Sequence, residues 1–260
     1  MSHKPRKRFG QNFLHDTVII QQIIGAISPK MGDSFVEIGP GKGALTSPLL
    51  SALGEMDVVE LDRDLIPILE STLASVGKLH IHNVDALKFE FSQLAKNEKS
   101  LRIVGNLPYN ISTPLLFHLT SFLPWIKDMH FMLQKEVVDR MSAQPGNKNY
   151  GRLSVMMQYH CQVEKLFIVK PGAFFPPPKV DSAIVRLIPH AENPYHIKDT
   201  KVFANVVMQC FSQRRKTLRN NLKNTLDTDE IEELGIDPAC RAETLEISQF
   251  VELANRVAEK

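Results

Sequence analysis

Apolar residues along this chain recur in two rhythms that alternate as the sequence advances. Short β-rich runs lie at 34–38, 57–61, 79–82, 103–105 and 130–133, with two more near 166–169 and 183–187. Between the early runs, 44–52 and 65–76 show the longer spacing of helices that bury one face. Strand–helix alternation of this kind predicts an α/β fold, a mostly parallel sheet covered on both faces. The last two runs are separated by Pro171-Gly172 and Pro176-Pro177-Pro178, too little chain for a crossover helix. They predict an antiparallel ending to the sheet.

After Pro189 the pattern changes. Asn193-Pro194 punctuates a linker, and no later run has strand character. The stretches 204–222, 229–234 and 248–258 predict helices. The chain therefore divides into an α/β domain over 1–192 and a small helical domain over 193–260.

Composition narrows the function classes. A chain of 260 residues that is 43% hydrophobic can bury a full core. No apolar run approaches the ~20 residues of a membrane span, and the basic start Lys4-Pro5-Arg6-Lys7-Arg8 has no signal-peptide core behind it. A cytoplasmic protein is expected. Cys161, Cys210 and Cys240 are far apart and lack C-x-x-C spacing, which predicts neither disulfides nor a metal site. The net charge of +2 leaves any nucleic-acid role to local basic patches.

The sharpest local signal is Glu37-Ile38-Gly39-Pro40-Gly41-Lys42-Gly43, where a strand runs into a glycine turn and then a helix. Alternate glycines let a backbone turn tightly and approach a ligand. The G-x-G-x-G spacing differs from the dinucleotide fingerprint, and such turns also occur without a ligand. Two carboxylates strengthen the case. Glu60 falls at the end of the second strand, about 20 residues on, where a carboxylate can accept from two ribose hydroxyls. Asp85 follows the third strand, placed to accept from an adenine amino group. Singly, each has the ordinary reading of a solvated loop carboxylate. Together with Gly39 and Gly41 they outline an adenosine-shaped site. A nicotinamide dehydrogenase would share that outline.

The fourth strand decides against the dehydrogenase. It leads into Asn106-Leu107-Pro108-Tyr109. Adenine N6 is a poor nucleophile because its lone pair is delocalised into the ring. Acceptors aimed at its hydrogens favour the rehybridised nitrogen that attacks a sulfonium methyl. The Asn106 side-chain oxygen and the Leu107 carbonyl are the candidates. Pro108 holds Leu107 extended and so aims that carbonyl. Tyr109 offers a face on which an extruded base can stack. A second aromatic element, Phe174-Phe175-Pro176-Pro177-Pro178, supplies one ring for the core and one for the base, and Phe174 is favoured for the base.

The chain resembles the dimethyladenosine transferases of small-subunit (16S) ribosomal RNA and, more distantly, the erythromycin-resistance methylases. The likeness runs through Lys7-Arg8-Phe9-Gly10-Gln11-Asn12-Phe13-Leu14, 37–43, 106–109, 174–182 and Phe211-Ser212-Gln213-Arg214-Arg215-Lys216-Thr217-Leu218-Arg219-Asn220. It implies a class I S-adenosylmethionine-dependent fold with a seven-stranded sheet and a helical C-terminal domain. It further implies conversion of two adjacent adenosines near the 3′ end of 16S rRNA, within the small ribosomal subunit, to N6,N6-dimethyladenosine. S-adenosylmethionine would be the methyl donor, with no metal, and the protein a monomer. By the same resemblance Asn12 and Leu14 close over the methionine end, and Asn106 joins Gly39, Glu60 and Asp85 as a cofactor contact.

RNA contact is expected from Arg215, Lys216, Arg219 and Lys223, which at 100° per residue fall within one sector of a single helix. Basic faces are commonly just solvated; beside a methyltransferase site, phosphate contact is the stronger reading. Two other classes share part of this pattern. A DNA adenine methyltransferase would keep 106–109 but has no need of the basic tail. A non-catalytic assembly factor would keep the basic tail but has no need of 106–109.

Overall fold

The computed structural model describes residues 11–260, so the basic segment Lys4–Arg8 and the neighbouring Phe9 and Gly10 lie outside the described residues. The first elements are a two-residue strand β1 (Phe13–Leu14), helix α1 (Thr17–Ile27), β2 (Ser34–Ile38), α2 (Thr46–Leu53), β3 (Glu55–Val59), α3 (Ile66–Leu73) and β4 (Lys78–His82). Then follow β5 (Leu101–Asn106), α4 (Ser112–Leu119), β6 (Ile126–Gln134), α5 (Lys135–Met141), α6 (Arg152–His160) and β7 (Cys161–Val169). Two strands close the series, β8 (Phe174–Phe175) and β9 (Ser182–Pro189).

The seven-stranded sheet has the order β4-β3-β2-β5-β6-β9-β7. Its members from β4 to β6 run parallel, and β9 returns antiparallel to β6. This is the mostly parallel α/β sheet expected from the pattern. Buried on both faces, β2 and β5 carry near-continuous apolar runs, as central parallel strands do. Leu49 and Leu50 of α2 and Leu69 and Leu73 of α3 pack with Phe35, Met56 and Val58 in the main core.

Local chemistry sets the helix ends. Asp16 accepts from the Val18 and Ile19 amides to start α1. Gly54, with φ of 78°, ends α2 in the left-handed region.

The chain separates into two compact units, one reaching Val138 and including Glu164–Pro189, the other formed by Asp139–Val163 and His190–Lys260. The expected boundary at 192/193 lies near the second junction. The contribution of 139–163 to the second unit was not expected from the sequence. That unit carries α6, α7 (Thr200–Cys210), α8 (Leu218–Leu222), α9 (Thr228–Glu233) and α10 (Ile247–Ala258).

One helix expectation needs correction: 204–222 is not continuous. Between α7 and α8 the chain turns through 211–217. The Asn221 side chain donates to the Cys210 carbonyl (2.7 Å) and to the Gln213 carbonyl (3.3 Å), meeting acceptors that another helical turn would have used. Arg215 and Lys216 therefore sit in the turn, Arg219 on α8 and Lys223 at its C-terminal cap. All four are exposed, but they do not share one helical face.

Candidate active site

The glycine turn after β2 has the geometry its residues allow. Gly39, Gly41 and Gly43 have φ of 68°, 60° and 86°, a region costly for side chains bearing Cβ. At Gly41 the approach is also close, since a Cβ there would lie 3.1 Å from the Phe13 ring.

Glu60 sits just past β3, whose end falls two residues earlier than the sequence pattern suggested. Its carboxylate accepts from the Gly41 amide at 3.3 Å and from the Asp62 amide at 2.8 Å, so it faces the glycine turn. Glu37, one residue before the end of β2, is 2% exposed, yet it lines a cleft at the glycine turn. Thr46 donates to it at 2.6 Å. Burial, reinforced by the neighbouring Glu60 and only partly offset by Thr46, pushes the Glu37 carboxyl up to about 7. Burial also raises Glu60, against the opposing amides of Asp62 and Gly41. Neither acid forms an ion pair among the described residues. The basic residue of the cleft, Lys42, stands 4.9 Å above the Phe13 ring.

Asn12, Leu14, Gly39, Gly41 and Asn106 line this cleft together. Asp85 does not. It is half-buried and caps the short turn at Ala86–Lys88 through the Leu87 amide. A neighbouring cleft is formed by Gln11, Asn12, Phe13, Asn106, Leu107, Pro108 and Tyr109. Asn106 and the Asn12–Phe13 pair are common to both. The Asn106 amide nitrogen donates to the Asn12 carbonyl at 3.0 Å, which fixes the opposite orientation for its side-chain oxygen. Leu107 is anchored by its amide to the Met132 carbonyl of β6 (3.1 Å). Tyr109 is half-buried, with its hydroxyl 3.0 Å from Ser182 Oγ on β9. Gly105 allows the approach of β2, because a Cβ there would meet the Ile38 carbonyl at 2.5 Å.

Phe174 departs from its expected role. It is 3% exposed, a member of the main core, and paired across the small ribbon with Leu14. The adjacent Phe175 is 63% exposed. Alternation along β8 assigns one ring to the core and one to the surface, as expected, but in the opposite order.

Two features escaped the sequence reading. Glu37 looked like an ordinary strand residue before the glycines, although a carboxylate in an apolar run is itself a signal. In the second unit Arg140, Lys148, Arg152 and Arg214 line a cleft of about 400 Å³ with Tyr150 and Phe211. Arg214 there bonds Glu243 at 2.9 Å and also donates to the Lys148 carbonyl.

Comparison with known proteins agrees with this geometry. A family model described as ribosomal RNA adenine dimethylase matches residues 2–259. Proteins named ribosomal RNA small subunit methyltransferase A are similar over nearly the whole length. The one from Pseudomonas fluorescens (strain Pf0-1) is 57% identical over 258 residues, 99% of this chain and 95% of its own. The one from Marinomonas sp. (strain MWYL1) is 58% identical, covering 99% of this chain and 97% of its own. Among solved structures, a dimethyladenosine transferase from Plasmodium falciparum superposes with a TM-score of 0.80 at 30% identity, over 93% of this chain and 95% of its own. The 23S rRNA methyltransferase ErmE shares the fold at a TM-score of 0.75 and 24% identity, over 95% of this chain and all of its own.

Proposed function

The chain belongs to the ribosomal RNA adenine dimethylase family, and we propose that it methylates N6 of two adjacent adenosines near the 3′ end of 16S rRNA, in the small ribosomal subunit. The observation that carries this reading is the position of Asn106, which lines both the glycine-turn cleft and the Tyr109 cleft. One side chain thus touches the donor side and the acceptor side of the transfer.

The residues fit S-adenosylmethionine. The positive-φ glycines form a cradle that a Cβ would obstruct, and Glu60 is aimed at it for the ribose hydroxyls. Asp85 is retained as the adenine-amino acceptor; it caps a turn with one oxygen and has a second. Asn12 and Leu14 hold the methionine end. Bound S-adenosylmethionine supplies a methyl group activated by a sulfonium leaving group, so the chain needs neither a metal nor a covalent intermediate.

The chain's own work is alignment. Its Asn12 carbonyl holds the Asn106 amide nitrogen, leaving the Asn106 oxygen as acceptor for an N6 hydrogen. The Leu107 carbonyl takes the second. Both acceptors gain strength as N6 rehybridises, which lowers the barrier without tightening ground-state binding. N6 takes the methyl, the sulfonium leaves as a thioether, and the N6 proton passes to water. Tyr109 stacks on the base. Phosphates of the RNA are met by Arg215, Lys216, Arg219 and Lys223 together with the basic cleft lined by Arg140 and Arg214. The protein acts as a cytoplasmic monomer.

The test is mass spectrometry of small-subunit RNA from cells lacking the protein. Loss of dimethyladenosine, restored by the intact gene and not by Asn106→Ala, is expected. Undiminished dimethyladenosine in the deletion strain would overturn the assignment.

A further inference from the structure

The ribbon of β1 and β8 presents two pairs of side chains. Leu14 lies opposite Phe174 and Phe13 opposite Phe175. Because neighbouring residues on a strand face opposite ways, each pair occupies one face. The Leu14–Phe174 face is buried at 6% and 3%. The other face carries Phe13, which lines both clefts beside Asn106. Directly opposed side chains have Cβ atoms about 4.5–5.5 Å apart. Phe175 therefore stands next to Phe13, at the rim of the cleft that holds Tyr109.

Phe175 is also the most exposed aromatic ring among the described residues, at 63%. Its strand is held by backbone pairing to β1, and Val180, 45% exposed, follows the three prolines of the same loop. A rigidly presented, open aromatic face at the mouth of a base-binding cleft suits a nucleobase. The target base occupies the cleft itself, so the nucleotide that meets the rim is its covalent neighbour. Stacking suits that contact because every base has a π-face.

We propose that Phe175 is a stacking platform for the base adjacent to the adenosine being methylated, and so a residue that sets which of two neighbouring adenosines enters. This inference rests on the function proposed above.

The test compares wild type, Phe175→Ala and Phe175→Trp on unmethylated small subunits. It repeats the comparison on subunits in which each adenosine of the pair is replaced in turn by uridine. Affinity for S-adenosylmethionine serves as the folding control. On the intact pair Phe175→Ala should lower kcat/KM on the order of 10- to 100-fold, the range of one base–aromatic stack. Its single-turnover rate at saturating subunit should stay within about twofold of wild type. Phe175→Trp should restore kcat/KM, and the alanine penalty should collapse on one of the two uridine-containing substrates, where the stacked partner is a weaker one. Unchanged kcat/KM in Phe175→Ala, a loss confined to the saturated rate, or a full penalty on both uridine substrates overturns the proposal. If wild type fails to methylate intact subunits, the function itself fails. If wild type acts and Phe175→Ala equals it, only the platform does.

Discussion

The two ends of the β-sheet both bury carboxylates, and they treat them in opposite ways. At the end where β5 begins, Arg102 is 6% exposed and stacks over the Phe35 ring at 4.7 Å. It makes two contacts to Asp128 (3.0 and 3.1 Å), one to Asp33 (2.9 Å) and one to the Ile27 carbonyl at the end of α1 (2.7 Å). Burial acts to raise both acids. The bonds and charge of Arg102, with His130 also near Asp128, outweigh it and hold both below their ordinary values. At the other end, Glu37 and Glu60 are buried with no ion-pair partner among the described residues, and both are raised. The first end carries its own counter-charge. The second has none in contact among the described residues, and Lys42 is the basic residue that lines its cleft. The matched set ties β5 to β6 and to the end of α1, while the two raised acids lie at the glycine turn.

Removing the internal cation should give the largest effect. Arg102→Met leaves two acids in a low-dielectric site and should cost about 3–5 kcal/mol of stability, read by denaturant unfolding. S-adenosylmethionine affinity of the folded fraction should not change. A variant as stable as wild type would mean that the two ends do not differ as described.

Next in size is the chemical step. Asn106→Ala should lower single-turnover methyl transfer by about 10²–10³ at saturating donor and subunit, the usual cost of one positioned transition-state acceptor or donor. Near-normal transfer would place catalysis elsewhere, whatever the cofactor affinity.

The contrast explains what was legible in the sequence. Periodicity located every strand of the large sheet, because the central ones bury apolar residues and even the edge strands β4 and β7 keep an apolar, β-rich stretch. Glycine spacing located the turn, because positive φ is written in residue type. Asn106–Tyr109 announced itself through residues with narrow tasks. The break after Cys210 was hidden, since apolar spacing continues across it at Leu218 and Leu222 while the decisive bonds come from the Asn221 side chain. The burial of Phe174 was equally hidden. Which of two adjacent rings faces inward depends on pairing with Phe13 and Leu14, about 160 residues away by the chain and set by strand alternation alone. Glu37 was overlooked because its significance is the missing counter-charge, a property of space and not of spacing.

A smaller effect is expected at Glu60, which faces the cradle but already accepts two backbone amides. Glu60→Ala should weaken S-adenosylmethionine binding by about 1.5–3 kcal/mol through lost charge-assisted bonds to the ribose, measured by calorimetry. Unchanged affinity would remove Glu60 from the site and leave Glu37 as the unmatched acid.

The smallest effect tests the unmatched charge most directly. Glu37 is raised from an ordinary 4.5 to about 7, so between those values the folded protein keeps a proton there that the unfolded chain has released. Between those two values the folded state binds more protons, and stability must fall as pH rises through that window. A cationic ligand reverses the preference, because it stabilises the ionised carboxylate. Binding of S-adenosylmethionine should therefore release a proton and strengthen about tenfold between pH 6 and pH 8, equivalent to one pKa unit or about 1.4 kcal/mol. The groups that face Glu37 are the Thr46 hydroxyl from α2, the Glu60 carboxyl after β3 and, on the cleft wall, Lys42. Glu37→Gln keeps the size and the Thr46 contact and leaves Glu60 in place. In that variant proton release, measured by calorimetry in buffers of different ionisation enthalpy, should largely vanish and the pH profile flatten. Stability of the variant should decline less between pH 4.5 and 7 than that of wild type, the remaining fall coming from the raised Glu60. A wild-type affinity independent of pH, or a Glu37→Gln profile that still rises tenfold, would show that the acid is matched after all and would erase the difference between the two ends of the sheet.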